Sequence, residues 1–214
     1  MRVLVILCGH EFHERDSENI RILHAYLLSL PDVNVDYCGI SNTDDFHTYE
    51  NIISFKYKVI NTKRQLSKIC DFITDNKDSL NYDWFMKFRP DTRLLEPPNF
   101  DILLEGAVNA RAREYCGPKK IKYGMSINGE GRWKNVGYCS YRDVETTIVL
   151  DDMVFYFHKT VVGMGAFDKI SSETSVYPEM QQANVFNQRK IPMNIIGINL
   201  ENTKYHCFSG NVNM

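Results

Sequence analysis

YDWFMKFRPDTRLL, residues 82–95, is the stretch whose reading decides the fold. Trp84, Phe85, Met86 and Phe88 form a short apolar run with polar flanks, the pattern of a strand buried on both faces of a mixed or parallel sheet. Pro90 lacks a backbone donor and biases the preceding residue towards an extended conformation. The strand is therefore expected to stop at Arg89 and deliver Asp91 onto a turn. In open α/β sheets ligands bind outside the carboxyl ends of the strands. A carboxylate there, with Lys87, Arg89 and Arg93 close in sequence, suits a metal-bound anionic ligand. It equally suits a turn aspartate that pairs with an arginine.

Outward from that stretch, 214 residues are enough for one sizeable core and too few for two comfortable ones. A net charge of −2 argues against a nucleic-acid coat or a polybasic membrane surface, both of which need a marked excess of Lys and Arg. No apolar run approaches the ~20 residues of a membrane span. The opening MRVLVILCG is too short, and too soon followed by charge, for a signal peptide. A cytoplasmic protein is expected. The six cysteines (Cys8, Cys38, Cys70, Cys116, Cys139 and Cys207) show no CxxC pair, and they read as reduced core residues rather than as disulfides or a zinc site.

The N-terminal run RVLVILC, residues 2–8, followed by Gly9, opens like a nucleotide-binding α/β fold. Asp16 and Ser17 are candidate caps for a helix that carries Ile20, Leu23, Leu27 and Leu28 on one face and is stopped by Pro31. A second strand follows over residues 33–40, and strand, helix, strand implies parallel pairing. The loop CGHEFHER, residues 8–15, is not a zincin helix, because His10 and His13 stand three apart rather than four. Neither GxGxxG nor GxxxxGK[ST] occurs there. Gly9 and His10 remain candidates for base or ribose contacts, since backbone after the first strand commonly lines the ligand crevice; His13 reads as a solvated loop residue. A third strand is expected over residues 54–60. A helix then runs from a Thr62 cap to Asn76, with Lys63 and Arg64 in its first turn. Cations are unfavourable at that end of the helix dipole, so the pair reads either as phosphate or base ligands or as a solvated helix start.

Beyond the 82–95 stretch, residues 107–112 and 122–127 read as strands, and the basic cluster of Arg111, Arg113, Lys119, Lys120 and Lys122 as a local anion-facing loop or a solvated surface. Glycines make residues 124–138 the most flexible stretch, with Trp133 placed to pack over a sugar or a lid hinge. Asp151 and Asp152 lead into an apolar run over residues 154–157. Adjacent carboxylates at a strand entrance need a partner or a capping role. Pro178 has the signature of a first helical position, and residues 195–200 read as a last strand, followed by His206 in a short tail.

In order and spacing the segments RVLVILCG, YDWFMKFRPDTRLL, LDDMVFYFH and YPEMQQANVFNQRKI resemble the compact glycosyltransferases of the GT-A fold, especially those with which large algal (chlorella) viruses glycosylate their capsid protein. The resemblance spans nearly the whole chain. It implies an α/β fold: one GT-A domain over residues 1–214, alone or as a module of a longer protein. Its architecture is Rossmann-like and nucleotide-sugar-binding, with a central mixed, mostly parallel sheet flanked by helices. The family's DxD motif falls by position on Asp91, Thr92 and Arg93, so the third place holds arginine. What is implied is Asp91 as ligand of Mn²⁺ or Mg²⁺, with His206 completing the metal shell, and Asp151 and Asp152 facing the sugar and acceptor.

The implied partners are a nucleotide sugar, a UDP-hexose or UDP-deoxyhexose, and a glycan or glycoprotein acceptor. A cation bridging two phosphates neutralises the leaving group, and Arg89, Arg93 and Lys63 would add fixed positive charge. Asp152 would serve as general base in an inverting enzyme. In a retaining one it would position sugar hydroxyls while the leaving phosphate takes the proton, and the lack of an unambiguous base favours retention. A non-catalytic domain binding nucleotide sugars or phosphometabolites is the alternative. A nucleotidyltransferase would normally carry a glycine-rich, basic loop after the first strand, which CGHEFHER does not resemble.

Overall fold

The computed structural model describes residues 1–116, 120–124, 147–171 and 178–203. Strands β1 (Arg2–Cys8), β2 (Asn34–Ser41), β3 (Phe55–Ile60) and β4 (Trp84–Phe88) are mutually parallel in the order β3-β2-β1-β4. Helix α1 (Ser17–Leu28) connects β1 to β2, and α2 (Gln65–Asn76) connects β3 to β4. The sheet continues through β8 (Thr147–His158), β6 (Val108–Cys116) and β7 (Lys120–Gly124), all antiparallel to their neighbours, and β9 (Met193–Ile195) pairs parallel with β6. A separate two-stranded ribbon pairs β5 (Thr92–Leu94) with β10 (Leu200–Asn202). Short α3 (Lys159–Gly163) and longer α4 (Pro178–Gln188) complete the described α-helices. The expected α/β architecture, a mixed and mostly parallel sheet flanked by helices, is present.

The central strands β1 and β4 are buried on both sides, which is why they read as continuous apolar runs. On β1, Val3, Val5 and Leu7 face one core with Ile20, Leu23 and Leu27 of α1, while Leu4, Ile6 and Cys8 face the other with Leu66, Ile69 and Ile73 of α2 and Phe186 of α4. Every residue of β4 is buried, Lys87 included. Each large apolar side chain so buried contributes about 1.5–3 kcal/mol, so the central strands carry much of the fold's stability.

Several expected details are corrected. Leu28 is exposed, because it lies one step round the helix from Leu27 and leaves the apolar face. Asp16 precedes α1 without a side-chain capping bond. Helix α2 starts at Gln65, with Arg64 extended at its N-cap (ψ 159°), so Lys63 is outside the helix. Asp151 and Asp152 lie within the twelve residues of β8, not at its entrance. The chain over 196–199 leaves the sheet, dividing the expected last strand into β9 and β10. Cys8, Cys38 and Cys70 are buried free thiols. The side chains of Cys116, Cys139, Cys207, Arg113, Lys119, Lys120, Lys122 and Trp133 lie outside the described residues, as does His206. Among the described residues no helix is long and apolar enough to cross a membrane.

Candidate functional site

From β1 the chain passes to β2 and β3 on one side, and later returns to β4 on the other, so the strand order reverses between β1 and β4. Such a switch point opens a crevice at the carboxyl ends of the strands. A cleft of about 450 Å³ lies there, reached by Gly9 and His10 after β1, Arg64 and Lys68 at the start of α2, Arg89 and Asp91 after β4, and Asp152 from β8.

The turn after β4 is fixed from three sides. Arg89 N donates to Met153 O at 2.9 Å, and Thr92 N closes the turn on Arg89 O at 3.0 Å. Thr203, just beyond β10, donates its backbone N–H (2.9 Å) and its hydroxyl (3.1 Å) to Asp91 O. From α1, buried Asn19 donates Nδ2 to Pro90 O (3.0 Å) and to Thr203 Oγ1 (2.9 Å). Asn19→Ala leaves the Pro90 carbonyl without that donor and is expected to lower stability by about 1–3 kcal/mol. Urea unfolding checks it, and an unchanged midpoint would show that Asn19 does not hold the turn.

Arg89 is the hub of the cleft. Its Nε and Nη2 donate to Asp91 Oδ1 (2.7 Å) and Oδ2 (3.0 Å), and its Nη1 donates to Asp152 Oδ2 at 2.8 Å. Burial disfavours its charged form. The charge of Asp152 and the hydrogen bonds that Arg89 donates to Asp91 outweigh that and hold the guanidinium well above its ordinary range. Asp91 is thus a turn aspartate paired with an arginine, and that arginine is part of the cleft wall. Its partner at a spacing of two is Arg89, ahead of it, and not Arg93.

Asp152 reaches Arg89 because β8 is bulged. Between the pairs Ala110↔Phe155 and Ala112↔Leu150, β6 advances two residues while β8 takes five steps. Bulges bend a strand and re-aim its side chains, often beside active sites. Asp151 holds the bulge. Its Oδ2 accepts from Arg111 Nε (2.8 Å) and Nη2 (2.6 Å), and its Oδ1 accepts from Met153 N (2.8 Å). Asp151, expected to face the sugar and acceptor, is fully buried and is not in the cleft lining.

On the opposite wall, Lys68 donates Nζ to Gly9 O at 2.8 Å and to the side-chain oxygen of Asn42. Gln65 Nε2 donates to Cys8 O at 3.0 Å, and Asn42 N to His10 O at 2.8 Å. The exit of β1 is thereby fastened to β2 and α2. A side chain at Gly9 would press on Glu11 O, 3.3 Å from its Cβ. Gly9, His10, Arg64 and Arg89 all reach the cleft, as the sequence suggested, and His13 also lines it. Lys63 and Arg93 do not: Lys63 pairs with Asp71 at 2.7 Å, and Arg93 with Glu201 at 3.2 Å. Residues that sequence reasoning missed are Lys68, Gln65 and Arg15 in the wall and Asn19 behind the turn. Lys68 had a signal, since it stands one helical turn after Arg64.

Among the described residues the divalent ion implied by the family resemblance finds no matching donor set; His206, expected to complete its shell, lies outside them. Both oxygens of Asp91 accept from Arg89. Among the described residues no group of three or more His, Cys, Asp or Glu side chains could hold a metal ion.

Beside the cleft, Lys87 is fully buried, 5.8 Å from the ring centroid of Phe155, with Nζ 3.4 Å from Met153 O. Burial lowers its pKa to about 8, with the charge of Asp152 opposing. Between pH 8 and about 10.4, the ordinary value of a lysine, the unfolded chain therefore binds the extra proton, and stability rises with pH. Burial pushes the Cys8 thiol up to about 11, which acts in the opposite sense above pH 9. Lys87→Met is expected to be more stable than wild type at pH 7 by about 1–3 kcal/mol, with the difference shrinking as pH rises from 8 to 10. Urea unfolding of both proteins across that range checks it, and a pH-independent difference would mean that Lys87 is not the titrating group.

No family model matches the chain, and no curated protein matches it. Solved structures do. One is CMP:2-keto-3-deoxy-manno-octonic acid synthetase complexed with CTP, 11% identical with a TM-score of 0.53, the match covering 97% of this chain and 95% of that one. Another is a nucleoside-diphosphate-sugar pyrophosphorylase from Vibrio cholerae, 12% identical with a TM-score of 0.51, covering 91% and 90%. At such identity the likeness shows the fold alone, a Rossmann-like α/β fold shared with those two proteins.

Proposed function

We propose that the chain is a glycosyltransferase that moves a hexose or deoxyhexose from a UDP-sugar to a glycan or glycoprotein acceptor, with retention at the anomeric carbon. One observation carries the reading. Arg64, Lys68 and Arg89 converge with Asp91 and Asp152 on a cleft at the β1/β4 switch point, of a size to take a nucleotide sugar. The order of the motifs along the chain and the fold's likeness to enzymes of nucleotides and nucleotide sugars support it.

In the transfer, the acceptor hydroxyl oxygen forms the new bond to the anomeric carbon. The bond from that carbon to the diphosphate oxygen breaks, and its electron pair leaves with UDP. The hydroxyl proton passes to the departing phosphate oxygen. Asp152 Oδ2 is engaged by Arg89, which suits this route better than a general base at Asp152. The acid instead orients the guanidinium beside the breaking bond. Because the described donor set does not suit a divalent ion, no step is assigned to one.

A second reading, transfer of a nucleotide to a sugar phosphate, is favoured by the two similar structures and opposed by the loop CGHEFHER, which lacks the glycines of a triphosphate cradle. Incubation with UDP-sugars should release UDP slowly, water standing in for the acceptor. Nucleoside triphosphates with sugar 1-phosphates should release no pyrophosphate. Pyrophosphate release without UDP release would select the second reading, and binding of UDP-sugars without either product would leave a non-catalytic binding domain.

A further inference from the structure

We propose that the Arg89 guanidinium, fixed by Asp91 and Asp152, does the work at the donor's diphosphate that a divalent cation would otherwise do, so that donor binding and sugar transfer need no metal ion. The inference rests on the glycosyltransferase reading and concerns the same cleft. The sequence pointed to Asp91 as a metal ligand. The structure gives both of its oxygens to a fixed cation, and gives an oxygen of Asp152 to the same cation.

A guanidinium has five N–H groups. Among the described residues three of them are engaged, two on Asp91 and one on Asp152. Two remain, one on each terminal nitrogen, on a side chain that lines the cleft. Arginine's planar fork suits phosphate oxygens. Three charge-assisted bonds hold this one in a single orientation, so that little reorganisation is needed when charge develops on the leaving phosphate. The pair of carboxylates also keeps the group protonated against its burial.

The charge balance sets how such a site works. Arg15, Arg64, Lys68 and Arg89 in the cleft wall are matched by Glu11, Asp16, Asp91 and Asp152. An anion is therefore held by directed donors rather than by an excess of positive charge. Its affinity is expected to fall only shallowly with salt, since long-range attraction is what salt screens. Asp91 and Asp152 become positioning residues that act through Arg89.

The test is calorimetric binding of UDP, together with UDP release from UDP-sugars, in EDTA and in millimolar Mn²⁺. The expected result is that both agree within about twofold between the two conditions. Asp91→Asn, which keeps the shape and removes the charge, should weaken UDP binding by about three- to tenfold, equally with and without Mn²⁺. Arg89→Ala should lose UDP binding in EDTA and, with its two carboxylates released, gain affinity for Mn²⁺ alone. Wild-type binding that appears only with Mn²⁺, or a loss in Asp91→Asn confined to the Mn²⁺ condition, overturns the proposal and leaves the glycosyltransferase reading standing. No binding of any nucleotide or nucleotide sugar in either condition overturns both. Should Arg89→Ala fail to fold, the wild-type comparison and Asp91→Asn still decide.

Discussion

Arg89→Ala is expected to lower UDP release from UDP-sugars by about 10²- to 10³-fold, the range seen when one pre-organised donor at a developing oxyanion is removed. Donor affinity should fall with it, because in the proposed transfer the same group faces the diphosphate before and during the reaction. The substitution also removes three charge-assisted hydrogen bonds and leaves Asp91 and Asp152 facing one another across the space the guanidinium filled. Asp152 is only 2% exposed, so a stability loss of about 1–3 kcal/mol accompanies the functional one. Assays belong at a temperature where urea unfolding shows both proteins folded. Arg89→Lys keeps a point charge without the fork and should recover only part of the activity. Turnover of Arg89→Ala within threefold of wild type would remove Arg89 from the reaction, and with it the account of this cleft.

The second large effect belongs to stability. Asp151→Ala takes from buried Arg111 the carboxylate that accepts two of its hydrogen bonds, and takes from Met153 N its acceptor. Breaking a buried pair from one side costs about 3–5 kcal/mol. For a chain of this size that lowers Tm by roughly 6–20 °C. Replacing both partners, Asp151→Leu with Arg111→Met, removes the buried charge that has lost Asp151 and should recover much of the loss. Catalysis should not return in step, because the bulge that aims Asp152 at Arg89 is tied by Asp151 to the backbone of Met153. A Tm shift under about 3 °C in Asp151→Ala would show that the pair is not what holds the bulge.

Asp151 and Asp152 illustrate how far the residues could be read. Two adjacent carboxylates beside an apolar run announce that each needs a partner, and each has one. Strand alternation alone cannot say which faces the cleft, because the local register of β8 is broken by the bulge against β6. Lys63 and Arg64 failed to separate for a similar reason. By sequence both read as first-turn residues, whereas α2 begins after Arg64. Only Arg64 then lines the cleft, while Lys63 turns to Asp71. Arg93 points to Glu201 because β5 pairs with β10, a contact between segments far apart in the chain that no local pattern encodes.

What the sequence by itself determined is the frame: the apolar runs of β1, β2 and β4, the amphipathic faces of α1 and α2, and the stop at Pro90 that brings Arg89 and Asp91 to the rim of the sheet. Those features follow from burial and backbone geometry, which act over a few neighbouring residues and so leave a periodic trace. Only the tertiary structure decided how the rim is built. Whether Asp91 meets a metal ion or an arginine, which aspartate of the pair reaches the cleft, and that Lys68 and Asn19 hold its walls all depend on strand register and on distant segments packing together. Hydrogen bonds and ion pairs are made across space by single atoms, and they leave no period in the chain to be read.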